Sequence, residues 1–182
     1  ISGLPSVEAY SIAEDKYGSL WFGLANGIIK YNDGKITNYS SSEIVRDKTF
    51  FSAMTDAAGN IWFGSTTGDV LIIHTDNTFE KLELPAAIKN DFIGSIEQDI
   101  KGNIWFGTDH GQLKYTGREF KLFGEREGLS VNTVQAVMAD YENNIWTGTL
   151  NGGVNLLSSE AFVHYTDKDG LASANITAIC PD

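Results

Sequence analysis

Cysteine is almost missing: Cys180 is the single thiol in 182 residues. That excludes an internal disulfide framework, and without a Cys-x-x-Cys pair it excludes the usual zinc knot. Ile176 and Ile179 beside it suggest a buried strand thiol instead of a reactive one. Proline is nearly as scarce, three against 19 glycines, which argues for many tight turns and against a Pro-rich disordered stretch. No apolar run approaches the ~20 residues of a membrane-spanning helix, and no charged-then-apolar leader opens the chain. Any signal or membrane anchor is expected in a segment absent from this stretch. Positive charge is short as well: 13 Lys and Arg against 24 Asp and Glu give a net −11. Such a surface repels phosphate backbones, and no basic stripe overrides it, so nucleic acid is not an expected partner.

What is abundant is repetition. The composition is globular, 42% hydrophobic and 12% aromatic with four Trp. Aligned on Trp21, Trp62, Trp105 and Trp146, the chain repeats at steps of 41, 43 and 41 residues. Six positions before each Trp stands Asp15, Asp56, Asp99 or Asp140. Three before it stand Gly18, Gly59 and Gly102, with Asn143 in the fourth copy. Leu20, Ile61, Ile104 and Ile145 precede the Trp; Phe22, Phe63 and Phe106 follow it, with Thr147 as the departure. Gly23, Gly64, Gly107 and Gly148 come next, then a second glycine column at Gly27, Gly68, Gly111 and Gly152.

Each column has a physical reason. Asp-x-x-Gly-Asn is turn chemistry: the carboxylate accepts a backbone N–H two residues on, and Gly or Asn tolerates positive φ. Ile-Trp-Phe-Gly-Thr reads as a short buried strand whose Gly admits a neighbouring backbone. The second glycine marks the next turn, followed by apolar Ile29, Val70, Leu113 and Val154. Aromatic pairs such as Phe120 with Phe123 and Phe162 with Tyr165 close the unit, and Phe50 with Ala53, Ile93 with Ile96 and Val134 with Val137 mark a strand upstream of the Asp. Four short strands per ~42 residues without helical periodicity predict an all-β chain, an arc of about four four-stranded antiparallel propeller blades. A β-sandwich gives no reason for a fixed period.

The repeats fall at about 3–44, 45–86, 87–127 and 128–169, with a partial repeat at 170–182, so that 1–182 reads as one partial β-propeller. Gly3-Leu4, Gly128-Leu129 and Gly170-Leu171 share a phase, and Asp182 falls in the turn-Asp column. The surplus first strand of a fifth blade predicts a piece cut from a longer array. Its exposed blade edges predict self-association, two arcs making an eight-blade assembly.

The unit Asp-x-x-Gly-Asn-Ile-Trp-Phe-Gly-Thr, cleanest at Asp99–Gly111, resembles the two-component regulator propeller repeat over essentially the whole chain. Ser19 and Asn143–Asn144 are its weaker matches. The resemblance implies an extracytoplasmic sensor or ligand-binding segment of a bacterial signalling receptor, in the periplasmic part of an inner-membrane protein. Output there is often a histidine kinase or a diguanylate cyclase, and the ligand often a carbohydrate fragment or another small extracellular molecule. No catalytic role and no cofactor are expected for the segment itself. The alternatives are a protein-interaction scaffold and, from a shared Gly-x-Ile-Trp-Phe motif, a streptogramin-lyase-like enzyme. The latter needs a His/Glu constellation with a metal, and His74, His110 and His164 share no column. No His-Glu-x-x-His or Gly-x-Ser-x-Gly occurs.

The Trp column reads as blade packing and the Asp column as turn-forming, since Asp-x-Asp-x-Asp calcium spacing is missing and no metal site is expected. Function is expected where the copies disagree, on the rim formed by the inter-blade links and the turns after the second strands. The candidate ligand contacts are Arg46, Lys48, Lys89, Asp109, His110, Arg126, Asn132 and Asn151, with Asn155 also placed in an inner turn.

Overall fold

The computed structural model describes residues 8–158 and 161–180. They form four four-stranded antiparallel sheets, each in simple strand order. The first holds β1 (Ala9–Glu14), β2 (Leu20–Leu24), β3 (Gly27–Asn32) and β4 (Lys35–Asn38). The second holds β5 (Phe50–Thr55), β6 (Ile61–Ser65), β7 (Val70–Ile73) and β8 (Phe79–Leu82). The third holds β9 (Ile93–Gln98), β10 (Ile104–Thr108), β11 (Gly111–Tyr115) and β12 (Phe120–Phe123). The fourth holds β13 (Val134–Ala139), β14 (Ile145–Thr149), β15 (Gly153–Ser158) and β16 (Ala161–Tyr165). This is the all-β blade architecture that the repeat predicts. Short 3₁₀ turns, at Ala86–Ile88, Glu125–Glu127 and Asp167–Asp169, lie beyond the fourth strands.

The chain divides into two compact units, residues 1–93 and 94–182. In the first, β1 and β2 pack against β5, burying Trp21, Ile28, Phe50, Phe63 and Leu71 in one cluster. In the second, β10 packs against β13 around Trp105, Leu129, Val134, Val137, Ile145 and Leu157.

The Asp column holds the first hairpin of each blade together. Asp99 Oδ1 accepts the N–H groups of Lys101 and Asn103 at 2.9 Å, while Oδ2 accepts Asn103 Nδ2 at 2.7 Å and Trp105 Nε1 at 2.9 Å. Asp140 does the same for Glu142, Asn144 and Trp146, and Asp56 bonds Asn60 and Trp62. In the first blade Ser19 replaces the Asn, and Lys30 takes over: its Nζ sits 3.0 Å from Asp15 Oδ2 and 4.7 Å over the Trp21 ring. Burial tends to raise these carboxyls, but the hydrogen bonds outweigh it and hold Asp15, Asp99 and Asp140 below the usual range.

The glycine after the Trp stands where the backbone of a following segment comes close. A Cβ on Gly23 would lie 2.5 Å from the Phe50 carbonyl oxygen, and one on Gly64 would lie 2.5 Å from Ile93 Cγ2. Serines stitch the same seam: Ser11 Oγ donates to Phe50 O at 3.1 Å and Ser52 Oγ to Ile93 O at 2.8 Å.

Four sequence expectations need correction. Register places Trp21 opposite Lys30 and Trp105 opposite Lys114, nine residues on, but Trp62 opposite Ile72 and Trp146 opposite Leu156, ten on. The second turn is one residue longer in the second and fourth blades, so the second glycine column is not one structural position. Asn155 therefore leaves the inner turn and sits in β15, buried and opposite Thr147. Cys180 is exposed, since no paired strand covers it. Residues 171–180 form no paired strand, although Ile176 takes its column's place: its N–H donates to Thr149 O, and it packs where a Gly148 Cβ would be. Asp182 lies outside the described residues.

Candidate functional site

In an antiparallel blade the Asp turns occupy one end, while the turns after the second strands share the other end with the inter-blade links. The candidate residues lie on that rim, divided between the units. In the first unit Arg46 is exposed and lies 3.6 Å from Asp47, its sequence neighbour. Lys48 is not free charge: its Nζ is 3.2 Å from Asp69, which also meets Lys81 at 2.7 Å. Burial works against ionising Asp69, but the two lysines prevail and hold its carboxyl low. Lys89 is exposed, while its backbone carbonyl fills the space a Cβ on Gly68 would need.

In the second unit Asp109 and His110 are exposed in the two-residue turn between β10 and β11. The His110 carbonyl lies 3.7 Å from the place of a Gly124 Cβ, and Asn132 Oδ1 lies 2.8 Å from it. Asn132 Oδ1 accepts the Glu125 N–H at 2.9 Å, which fixes the link carrying exposed Arg126. Asn151 is exposed at φ 65° in the next turn. Ser130 of the link reaches that turn by donating from Oγ to Gly152 O at 2.8 Å. Asp109, His110, Arg126, Asn132 and Asn151 thus belong to one rim; Arg46, Lys48 and Lys89 belong to the rim of the other unit.

Beneath the rim of the second unit lies a polar seam. Cross-strand pairs that are Phe22 with Ile29, Phe63 with Leu71 and Phe106 with Leu113 become Thr147 with Asn155. Gln112 stands where the first two blades place Ile28 and Val70. Thr147 Oγ1 donates to Gln112 Oε1 at 2.7 Å, and Gln112, Thr147 and Asn155 are all 0% exposed. Asn155 Oδ1 accepts the Ser130 N–H at 2.9 Å and lies 2.6 Å from Nδ1 of exposed His164. Asn155 thus links the buried strand to a solvent-facing imidazole, and the Thr147–Gln112 bond lies beside it by strand register. Gln112 Nε2 and Asn155 Nδ2 are buried with no partner among the described residues. Buried amides without acceptors carry a desolvation cost, so this seam is organised around hydrogen bonding and not around maximal stability. Sequence reasoning missed Gln112, Ser130 and His164 as parts of one site; the available signal was Thr147 breaking the Phe column.

Among the described residues no group of three His, Cys, Asp or Glu side chains is placed to hold a metal, and no helix is long and apolar enough to cross a membrane.

The sequence model of the two component regulator propeller matches residues 3–26 and 87–110. Those two stretches match the two component regulator propeller repeat. No curated protein matches it by sequence. Among solved structures, the chain superimposes on the extracellular domain of a hybrid two component system from B. thetaiotaomicron with TM-score 0.85 and 23% identity, over 97% of this chain and 25% of that one. The extracellular domain of a one component system from the same organism gives TM-score 0.70 at 27% identity, over 85% and 22%. Virginiamycin B lyase from Staphylococcus aureus gives 0.72 at 17%, over 90% and 57%, a likeness of fold alone. The chain spans about a quarter of the length of the receptor domains it matches.

Proposed function

We propose that this chain is part of the extracytoplasmic, ligand-sensing portion of a bacterial signal-transduction receptor, and that it is not itself an enzyme. The observation that carries the reading is the pairing of regulator-propeller repeats with a rim and seam that differ from blade to blade while the Asp–Trp clamps repeat. A scaffold selected only for stability has no use for Thr147, Asn155 and Gln112 at positions filled elsewhere by Phe, Leu and Ile. Repeats at 3–44, 45–86, 87–127 and 128–169, with a partial one from 170, and anchoring of the parent protein in the inner membrane belong to this proposal. So does self-association through blade edges, which a monomeric mass in light scattering at micromolar concentration contradicts.

The ligand in this reading is a small extracellular molecule rich in oxygen acceptors, a carbohydrate fragment foremost. It contacts the rim of the second unit through His110, Arg126, Asn132 and Asn151. Thermal-shift screening of the chain against an oligosaccharide panel tests it. A ligand at 100 times its Kd adds ~2.7 kcal/mol to folded-state stability. At ~2–4 °C per kcal/mol for a chain of this size, that raises Tm by ~5–10 °C. The shift should disappear in a His110→Ala/Arg126→Ala variant. A panel with no stabilising member, or a shift indifferent to that variant, overturns the assignment.

A further inference from the structure

At the Asp-turn end of the second unit, a groove of about 790 Å³ runs along the outer seam between its two blades. One wall carries Trp105, Lys114, Lys121 and Phe123; the other carries Asn143, Asn144 and Leu157. Lys114 and Lys121 are directly opposed on β11 and β12. Like charges in that relation repel, and in a chain with so few cations the arrangement calls for a reason. The other blades avoid it: the same register pairs Lys30 with Thr37, Ile72 with Glu80 and Leu156 with Val163.

Among the described residues no carboxylate lies within ion-pair distance of either ammonium, although three acids line the groove. Asp99 is saturated by its four clamp bonds. Glu127 Oε2 accepts the Gly124 N–H at 2.8 Å, and Glu142 Oε2 lies 3.3 Å from Asn144 Nδ2. The ammoniums rest on aromatic faces instead, Lys114 Nζ 5.2 Å from the Trp105 centroid and Lys121 Nζ 4.6 Å from that of Phe123. Rings hold the cations in place without consuming their donors.

We propose that this groove binds an oxyanion: a small molecule whose carboxylate or sulfate group is held between the Lys114 and Lys121 ammoniums. The bound anion removes the repulsion between the lysines and makes charge-assisted hydrogen bonds to both. The site is separate from the rim, so it stands or falls independently of the sensing proposal above.

The test is NMR titration of the whole chain with sodium acetate in one arm and sodium methyl sulfate in the other, each against sodium chloride at constant ionic strength. The expected result is a saturable change confined to Lys114, Lys121, the Trp105 indole N–H and Asn143 in at least one arm. The arm that saturates identifies the oxyanion. Lys114→Gln and Lys121→Gln should each weaken binding about tenfold, the loss of one charge-assisted bond. Lys114→Arg keeps the charge and should keep binding, which separates a charge effect from misfolding. Lys35→Gln, on the surface of the other unit, should change nothing. Shifts spread over all lysines without saturation in both arms, or saturation indifferent to the two Gln variants, overturn the site.

Discussion

Asp99→Asn tests whether the Asp column is a clamp or only a turn-former. The amide can keep its oxygen on the N–H groups of Lys101 and Asn103, so the turn itself survives. The other terminus becomes an NH2 pointed at two donors, Asn103 Nδ2 and Trp105 Nε1. Asn103 can turn its amide and offer oxygen; the indole cannot. Trp105 is 3% exposed, so water does not rescue its N–H. A buried donor left unsatisfied costs ~1–3 kcal/mol, and the lost charge assistance adds to it, for ~2–3 kcal/mol in total. With a urea slope near ~2 kcal/mol/M, the unfolding midpoint followed by Trp fluorescence should fall by ~1–1.5 M. In the Asp99→Asn background, Trp105→Phe removes the orphaned N–H, so the two changes should couple by ~1–2 kcal/mol in a double-mutant cycle. Acid provides a second readout. The folded-state pKa of Asp99 is depressed, so its contribution is present above the ordinary carboxylate pKa near ~4 and is lost as pH falls through the lower folded value. The Asp99→Asn variant should therefore lose less stability on acidification than the parent chain. A midpoint within ~0.25 M of the parent, or additive single mutants, would refute the clamp.

Two seam substitutions carry opposite expectations. Ser52→Ala deletes the buried hydroxyl that donates to Ile93 O and should cost ~0.5–1.5 kcal/mol in urea unfolding, whereas Ser95→Ala removes a buried hydroxyl with no partner among the described residues and should be neutral or slightly stabilising. Gly23→Ala sets a methyl 2.5 Å from the Phe50 carbonyl oxygen and should cost ~1–3 kcal/mol by thermal unfolding, while Gly117→Ala, with open space around it, should cost only the strain of its φ of 85°.

The blades were readable in the chain because each element is specified by local chemistry four times over. The Asp turn, the Ile-Trp-Phe strand and the glycine facing the next backbone need no knowledge of partners far away, and the structure has them where the columns put them. The indole bond to Asp Oδ2 was less visible, since a turn reading already accounts for the carboxylate. Register was the first thing lost. One extra residue in the second turns of two blades leaves the columns looking aligned while moving Asn155 from a turn into the core. Lys114 opposite Lys121 is equally invisible without that register. The candidate rim residues were found by their difference from one another, and the structure groups five of them around one unit's links. The ion pair of Lys48 was not legible either, because Asp69, its partner, comes from a turn some twenty residues on in the chain.

The contrast between the two units carries the functional argument furthest. Both have the same Asp–Trp clamps, the same glycine approach and the same strand order, so both meet the demands of blade stability in the same way. The first unit fills its seam with Phe63, Leu71 and Ile28, which gain from burial without needing partners. The second puts Gln112, Thr147 and Asn155 at the corresponding positions, at 0% exposure, and leaves two amide groups unmatched among the described residues. Apolar side chains of similar size would remove that cost, and the same chain shows that they fit a blade of this kind. Polar groups retained where the repeat itself supplies an apolar solution support the ligand-binding reading proposed above. The seam opens, through Asn155, to His164 and to Ser130 of the link that also presents Arg126 and Asn132, which ties the buried departure from the repeat to the rim where the loops depart from it.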